Sequence, residues 1–171
     1  TVAEQQETKE LVYESSMELS YAENFAVDYY DGGYKLLTTR LNGDRILIVP
    51  EHEQAPEDAE ALVSPSAEGE PGKLIVLQEP VKNLYLVASS VMDMFAQLDS
   101  MDAISMCGLK EEDWYIPAAK QAMKDGTLLY AGKYSQPDYE LLLSQNCSMA
   151  IENSMIYHTP SVMNLPTMND H

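Results

Sequence analysis

Residues 130–160 read YAGKYSQPDYELLLSQNCSMAIENSMIYHTP, and this stretch sets the expected fold. A short apolar run ends at Gly132, and the polar segment Ser135-Gln136 leads to Pro137-Asp138-Tyr139-Glu140. Proline beside an acid suits the first turn of a helix, because its missing N–H is not needed there and the acid meets the positive end of the dipole. Leu141-Leu142-Leu143 then continue as an apolar helix, and Ser148-Met149-Ala150-Ile151 follow as a short buried strand before a polar loop. The order is strand, loop, helix, strand, loop.

The alternation extends backwards from there. Strands are expected at 74–78, 83–88, 103–107, 127–131 and 148–152, with helices at 91–100, 114–124, 138–145 and from about 161 onward. Ser90-Val91-Met92-Asp93 has the spacing of a capping box, in which side chain and backbone satisfy each other's amides. Helices alternating with short apolar strands predict an α/β fold, a Rossmann-like lobe with a mainly parallel sheet flanked by helices. Ligands of such sheets lie beyond the C-terminal strand ends.

Upstream, residues 24–50 predict a β-meander. Asp31-Gly32-Gly33 and Asn42-Gly43 separate three β-rich runs, and both tolerate the positive φ of tight hairpins. Residues 50–72 hold seven acids and four prolines and are expected as a solvated acidic connection, with one helical turn at 58–63. Residues 1–20 are polar and pattern-free, as in a tether, which leaves 21–171 as a single lobe. The chain starts at Thr1 without a charged, apolar leader, so a mature or trimmed product is expected.

The net charge is −18, with 17 acids and 5 bases in residues 1–80 and 11 and 5 in residues 81–171. Such a surface repels phosphate backbones, so no nucleic-acid partner is expected. No run reaches the ~20 apolar residues that span a bilayer. Cys107 and Cys147 lack metal-ligand spacing and are expected at opposite sheet edges, as buried free thiols. Gly69 to Lys73 imitates a phosphate loop but has the wrong spacing and Leu74 where Ser or Thr would stand. No metal or cofactor is implied, and the methionines are expected in the core.

The loops on the expected C-terminal edge are 88–90, 108–115, 131–134 and 152–158. They offer Trp114, Tyr115, Tyr134 and Tyr157 with Lys110, Lys133 and His158. Aromatic rings with a few donors suit a large planar or partly apolar ligand.

From about Asn83 to the chain end, these motifs resemble the substrate-binding proteins of iron-siderophore, haem and cobalamin ABC importers, the class III periplasmic binding proteins. The carriers are Gly132, Pro137-Asp138-Tyr139-Glu140, the leucine run, Leu84 to Ser90, and Trp114-Tyr115-Ile116-Pro117. The resemblance implies a non-catalytic protein that captures a metal chelate (ferric siderophore, haem or corrinoid) and delivers it to an ABC permease. It implies ligand contacts at Ser89, Ser90, Trp114, Tyr115, Lys133, Tyr134, Asn153, Tyr157 and His158, and permease docking through Glu140. An extracytoplasmic place is implied, as a cell-surface lipoprotein or in the periplasm, with membrane contact only through a removed lipid anchor. Members have two lobes, so this chain is expected to supply the N-terminal lobe only, with the second lobe absent and ligand binding weakened. The alternatives are a small α/β enzyme using Ser89, Ser90, Cys107 or His158, and an extracellular sensory or interaction module working through its acidic face.

Overall fold

A computed structural model describes residues 11–152, and the chain divides into two compact units, residues 1–80 and 81–171. In the first unit the expected meander forms as β2 (Phe25–Tyr30), β3 (Lys35–Thr39) and β4 (Arg45–Val49), preceded by β1 (Tyr13–Ser16) and followed by β5 (Leu74–Gln78). The sheet order is β1-β2-β3-β4-β5. The first three pairings are antiparallel and β4–β5 is parallel. The hairpin glycines do what the turns require: Gly32, Gly33 and Gly43 have φ of 74°, 87° and 72°. A Cβ on Gly43 would also lie 2.3 Å from the Glu70 carbonyl oxygen.

Alternation puts Leu36, Leu47 and Val49 on one face, fully buried with Tyr30, Tyr34 and Leu11. Residues 13–16, expected within the tether, instead pair with β2. Tyr13 packs edge-on against Tyr30 at 6.1 Å, and the Val12 N–H donates to Asp31 Oδ1 at 2.9 Å. Four residues of alternating pattern are too few to read as a strand without their partner.

The acidic connection is pinned to this sheet by two buried charges. Arg45 donates to the carbonyls of Glu60 (2.9 Å), Leu62 and Gly72 (3.0 Å), and reaches the Glu60 carboxylate at 3.3 Å. Asp28 accepts from Ser16 Oγ and Ser66 Oγ at 2.6 Å each, and from Ser64 Oγ. A parallel pairing needs a long crossover, and these contacts order it. The helical turn expected there is a single 3-10 turn at Ala59–Ala61.

The second unit contains β6 (Leu84–Leu86), α1 (Ser89–Gln97), β7 (Ile104–Cys107), α2 (Pro117–Lys124) and β8 (Leu129–Tyr130). A two-residue hairpin, β9 (Gly132–Lys133) with β10 (Gln136–Pro137), precedes α3 (Tyr139–Ser144) and β11 (Ala150–Ile151). The strand order is β11-β6-β7-β8, with every pairing parallel. One core unites Leu84, Leu86 and Ile104 with Met92 of α1 and Ala119 of α2, while a second joins Tyr85, Val87 and Met106 to Leu142 of α3.

The expected fold class is not what forms. The larger, five-stranded sheet is mixed, the β9–β10 pair is antiparallel and only the four-stranded sheet is parallel, and among the described residues there are many strands against three α-helices of nine, eight and six residues. Residues 74–78, read as the first strand of the parallel series, join the antiparallel meander through β4. The remaining parallel strands are cut short by local geometry. Asn83 (φ 57°) stops β6 at its start, and Gly132 (φ 82°) turns the chain soon after β8. Positive φ departs from the extended region and bends the chain at both positions.

A smaller expectation also changes. Ser90 is not a cap: α1 begins at Ser89, with Ala88 in the cap position and no side-chain cap, because Val91 and Met92 both donate to the Ala88 carbonyl. Within the leucine run of α3, Leu143 is 62% exposed and Leu142 is the buried residue. The helix expected from about 161 lies outside the described residues.

Candidate functional site

The turn from β6 into α1 leaves Ser89 and Ser90 exposed in the first turn of the helix, at the C-terminal end of the strand. Its neighbour β7 ends at Cys107, and Gly108 lets the chain pass close to Val87: an added Cβ would sit 3.3 Å from the Val87 Cα. The following residues fold over the strand end, with a 3-10 turn at Glu111–Asp113 and the proline-initiated α2. Trp114 and Tyr115, adjacent in sequence, take opposite sides there. Trp114 is 1% exposed, whereas Tyr115 is 97% exposed. Trp114 is a core residue whose edge forms part of the floor of an open depression of ≈ 350 Å³. Ser89, Ser90, Leu109, Asp113, Tyr115 and Ile116 line the rest of that depression.

Cys107 packs in the same core as Trp114. Its thiol donates to the Leu109 carbonyl at 3.1 Å, and the buried Trp114 indole N–H, which has no oxygen or nitrogen acceptor, faces it. Burial pushes the Cys107 thiol up, so it stays protonated. Cys147 is likewise buried and free, and its thiol is also raised by burial. The pair is therefore structural and unbonded.

A second open depression, ≈ 360 Å³, follows β8 and is lined by Tyr130, Gly132, Lys133, Gln136 and Asp138. Lys133 is exposed at its rim, and Lys110 Nζ stands 5.9 Å from the Tyr130 ring centre, within cation–π range. Tyr134 behaves differently from the expectation: it is half-buried and packs on the core that contains Leu142 and Cys147. Beneath this loop the Tyr85 hydroxyl donates to the Gly132 carbonyl at 2.8 Å. Burial and the Glu152 carboxylate both raise the Tyr85 hydroxyl, which holds it as a donor.

Glu152 follows β11, next to β6 in the sheet. Desolvation lifts its carboxyl from the usual range to about 7, and its Oε2 is buried without a hydrogen-bond partner. Its charge is also felt by Tyr139 at the start of α3. In sequence Glu152 is both the last residue of the strand expected at 148–152 and the first of the loop 152–158, and the available signal was an acid closing a strand expected to be buried.

The predicted site residues thus separate. Ser89, Ser90, Trp114 and Tyr115 meet at one depression, Lys133 lines the other, and Tyr134 turns to the core. Asn153, Tyr157 and His158 lie outside the described residues. Glu140 is exposed in the first turn of α3, where Asp138 Oδ1 caps the helix by accepting from the Leu141 N–H at 3.0 Å. Among the described residues no group of three or more His, Cys, Asp or Glu side chains could hold a metal, and no helix is long and apolar enough to cross a membrane. Comparison with family models, curated proteins and solved structures finds no match to this chain.

Proposed function

We propose that the protein is a solute-binding component of an ABC importer, which captures a metal chelate (ferric siderophore, haem or corrinoid) and delivers it to a membrane permease. The motif resemblance supports this reading, and one observation carries it. Tyr115, 97% exposed, stands at the rim of an open depression with the free hydroxyls of Ser89 and Ser90, at the ends of two neighbouring parallel strands. A large ring held out in water by a short, proline-anchored loop offers planar contact, and hydroxyls beside it orient a polar ligand edge. The protonated, carbonyl-bound Cys107 thiol fits capture without covalent chemistry.

Titration of the chain with a ferric siderophore, haemin and cobalamin tests the reading, followed by calorimetry. Saturable binding to one of the three is expected, weakened about tenfold by Tyr115→Ala. No saturable binding to any of them, or binding indifferent to Tyr115→Ala, would sink it. In an importer reconstituted with its permease, Glu140→Lys should stop transport while leaving affinity unchanged.

A second reading, catalysis at the same edge, draws on Glu152. A desolvated carboxyl near neutrality is suited to general acid–base work. Turnover of an ester or phosphate substrate that disappears in Glu152→Gln would favour it.

A further inference from the structure

The five-stranded sheet ends in β5, and among the described residues no strand pairs with its outer edge. Sheet edges are normally guarded by charge, proline or a bulge. Leu74-Ile75-Val76-Leu77-Gln78 has none of these, and Ile75 and Val76 are 43% and 45% exposed, one on each face.

The ladder fixes which amides are free. Arg45 N–H donates to the Lys73 carbonyl and Glu79 N–H to the Val49 carbonyl, both at 2.8 Å. In a parallel pairing the residues turned toward the neighbour alternate, so 73, 75, 77 and 79 face β4. Leu74, Val76 and Gln78 therefore direct N–H and C=O outward, three donors and three acceptors in one row.

We propose that this edge pairs with the β5 edge of a second copy of the chain, antiparallel and with Val76 on the twofold axis. This register sets Val76 against its own copy and Leu74 against Gln78 of the other chain, as hydrogen-bonded pairs. Six main-chain hydrogen bonds result, and the two sheets become one. Ile75 then faces Leu77 across a non-hydrogen-bonded pair, where apolar side chains approach most closely. The flanks decide the occupant. The same register places Lys73 opposite Glu79 at both ends, so the strand is complementary in charge to itself when reversed. Glu79 already holds Lys35 at 2.7 Å, which fixes its carboxylate beside the strand end. An unrelated extended peptide would need its own basic and acidic residues at that six-residue spacing. A second copy brings them by symmetry, as an isologous interface requires.

Sedimentation equilibrium of the full chain in about 0.15 M salt, at up to about 0.5 mM protein, is the test. A monomer–dimer equilibrium is expected. Val76→Pro removes only an outward N–H, a tolerated change on an edge, and should weaken the dimer about 30-fold through two lost hydrogen bonds. If that variant fails to fold by circular dichroism, Lys73→Glu provides the same reading from an exposed residue. It sets like charges together at both ends and should also weaken the dimer. An equimolar mixture of Ile75→Cys and Leu77→Cys should cross-link on mild oxidation far faster than either variant alone, since the buried Cys107 and Cys147 do not compete. A monomer throughout the range, a dimer indifferent to both Val76→Pro and Lys73→Glu, or cross-linking of each cysteine variant as fast alone as mixed would overturn the proposal.

Discussion

Asp28 and Arg45 lie on the same face of one sheet, both almost fully buried and opposite in charge, yet they do not pair with each other. Each is 3% exposed or less. Their cross-strand partners Leu36 and Thr38 are two residues apart on β3, which puts all four on one face. The two Nη groups of Arg45 donate to three carbonyls and one carboxylate of the acidic connection while its buried Nε has no partner, and Asp28 accepts three hydroxyls, two of them also from that connection. A buried charge costs several kcal/mol unless fully hydrogen-bonded. The loop is thereby tied to the sheet: releasing it would strand both charges.

Arg45→Met should lower unfolding stability by about 3–5 kcal/mol, since it leaves the carbonyls of Glu60, Leu62 and Gly72 without their donor. Asp28→Asn, which keeps one acceptor, should cost less, about 1–3 kcal/mol. Urea denaturation measures both. Limited proteolysis should cut within residues 57–70 in the Arg45 variant before global unfolding.

The two helix starts of the second unit differ in a way that substitution separates. Asp138 caps α3 through the Leu141 N–H, so Asp138→Ala should cost about 1 kcal/mol. Ser90 forms no cap, so Ser90→Ala should change stability by less than about 0.5 kcal/mol. Equal losses in thermal unfolding would contradict the capping assignment.

Gly132 and Gly126 both have positive φ, 82° and 73°, but only one is crowded. A Cβ at Gly132 would meet the Gln136 carbonyl oxygen at 2.3 Å, whereas at Gly126 it meets nothing within 4 Å. Gly126→Ala should cost about 1 kcal/mol from backbone strain alone. Gly132→Ala should cost at least twice that, as the β9–β10 turn and its bond from Tyr85 must shift. Chemical denaturation of the two variants side by side provides the comparison.

Glu152 predicts a pH dependence with a definite sign. Its folded value, about 7, lies above its ordinary value of 4.5, so the folded state holds the proton more tightly. Its contribution is complete below about pH 4.5, declines between 4.5 and 7, and is gone above. Relative to Glu152→Gln, the parent should therefore lose stability as pH rises across that window and run parallel above it. Unfolding midpoints of both proteins from pH 4 to 8 would show this. Parallel curves throughout would mean that the carboxyl is not desolvated.

Local features were readable wherever the cause was local. Asp-Gly-Gly and Asn-Gly placed both hairpins because positive φ is a property of those residues. Strand 74–78 matched residue for residue, and α3 starts after Asp138, whose side chain caps it, whereas Pro137, expected in the first turn, lies ahead of the helix in β10. The divergence of Trp114 and Tyr115 was not readable: two neighbouring aromatics carry the same pattern, and burial depends on which side meets the core. Tyr134 turned inward for the same reason, toward a core built from residues between 85 and 147.

Sequence alone therefore determined the hairpins, the crossover loop's acidic character and the identity of the exposed-edge strand's residues, all of which follow from side-chain size, charge and backbone freedom. Tertiary structure decided where residues 74–78 pair. Their apolar pattern suits either sheet, and only the register with β4, closed by the Arg45 and Asp28 tethers on the connection, selects the meander. It also decided that Glu152 loses its water, since desolvation is set by neighbours distant in the chain and not by the residue itself.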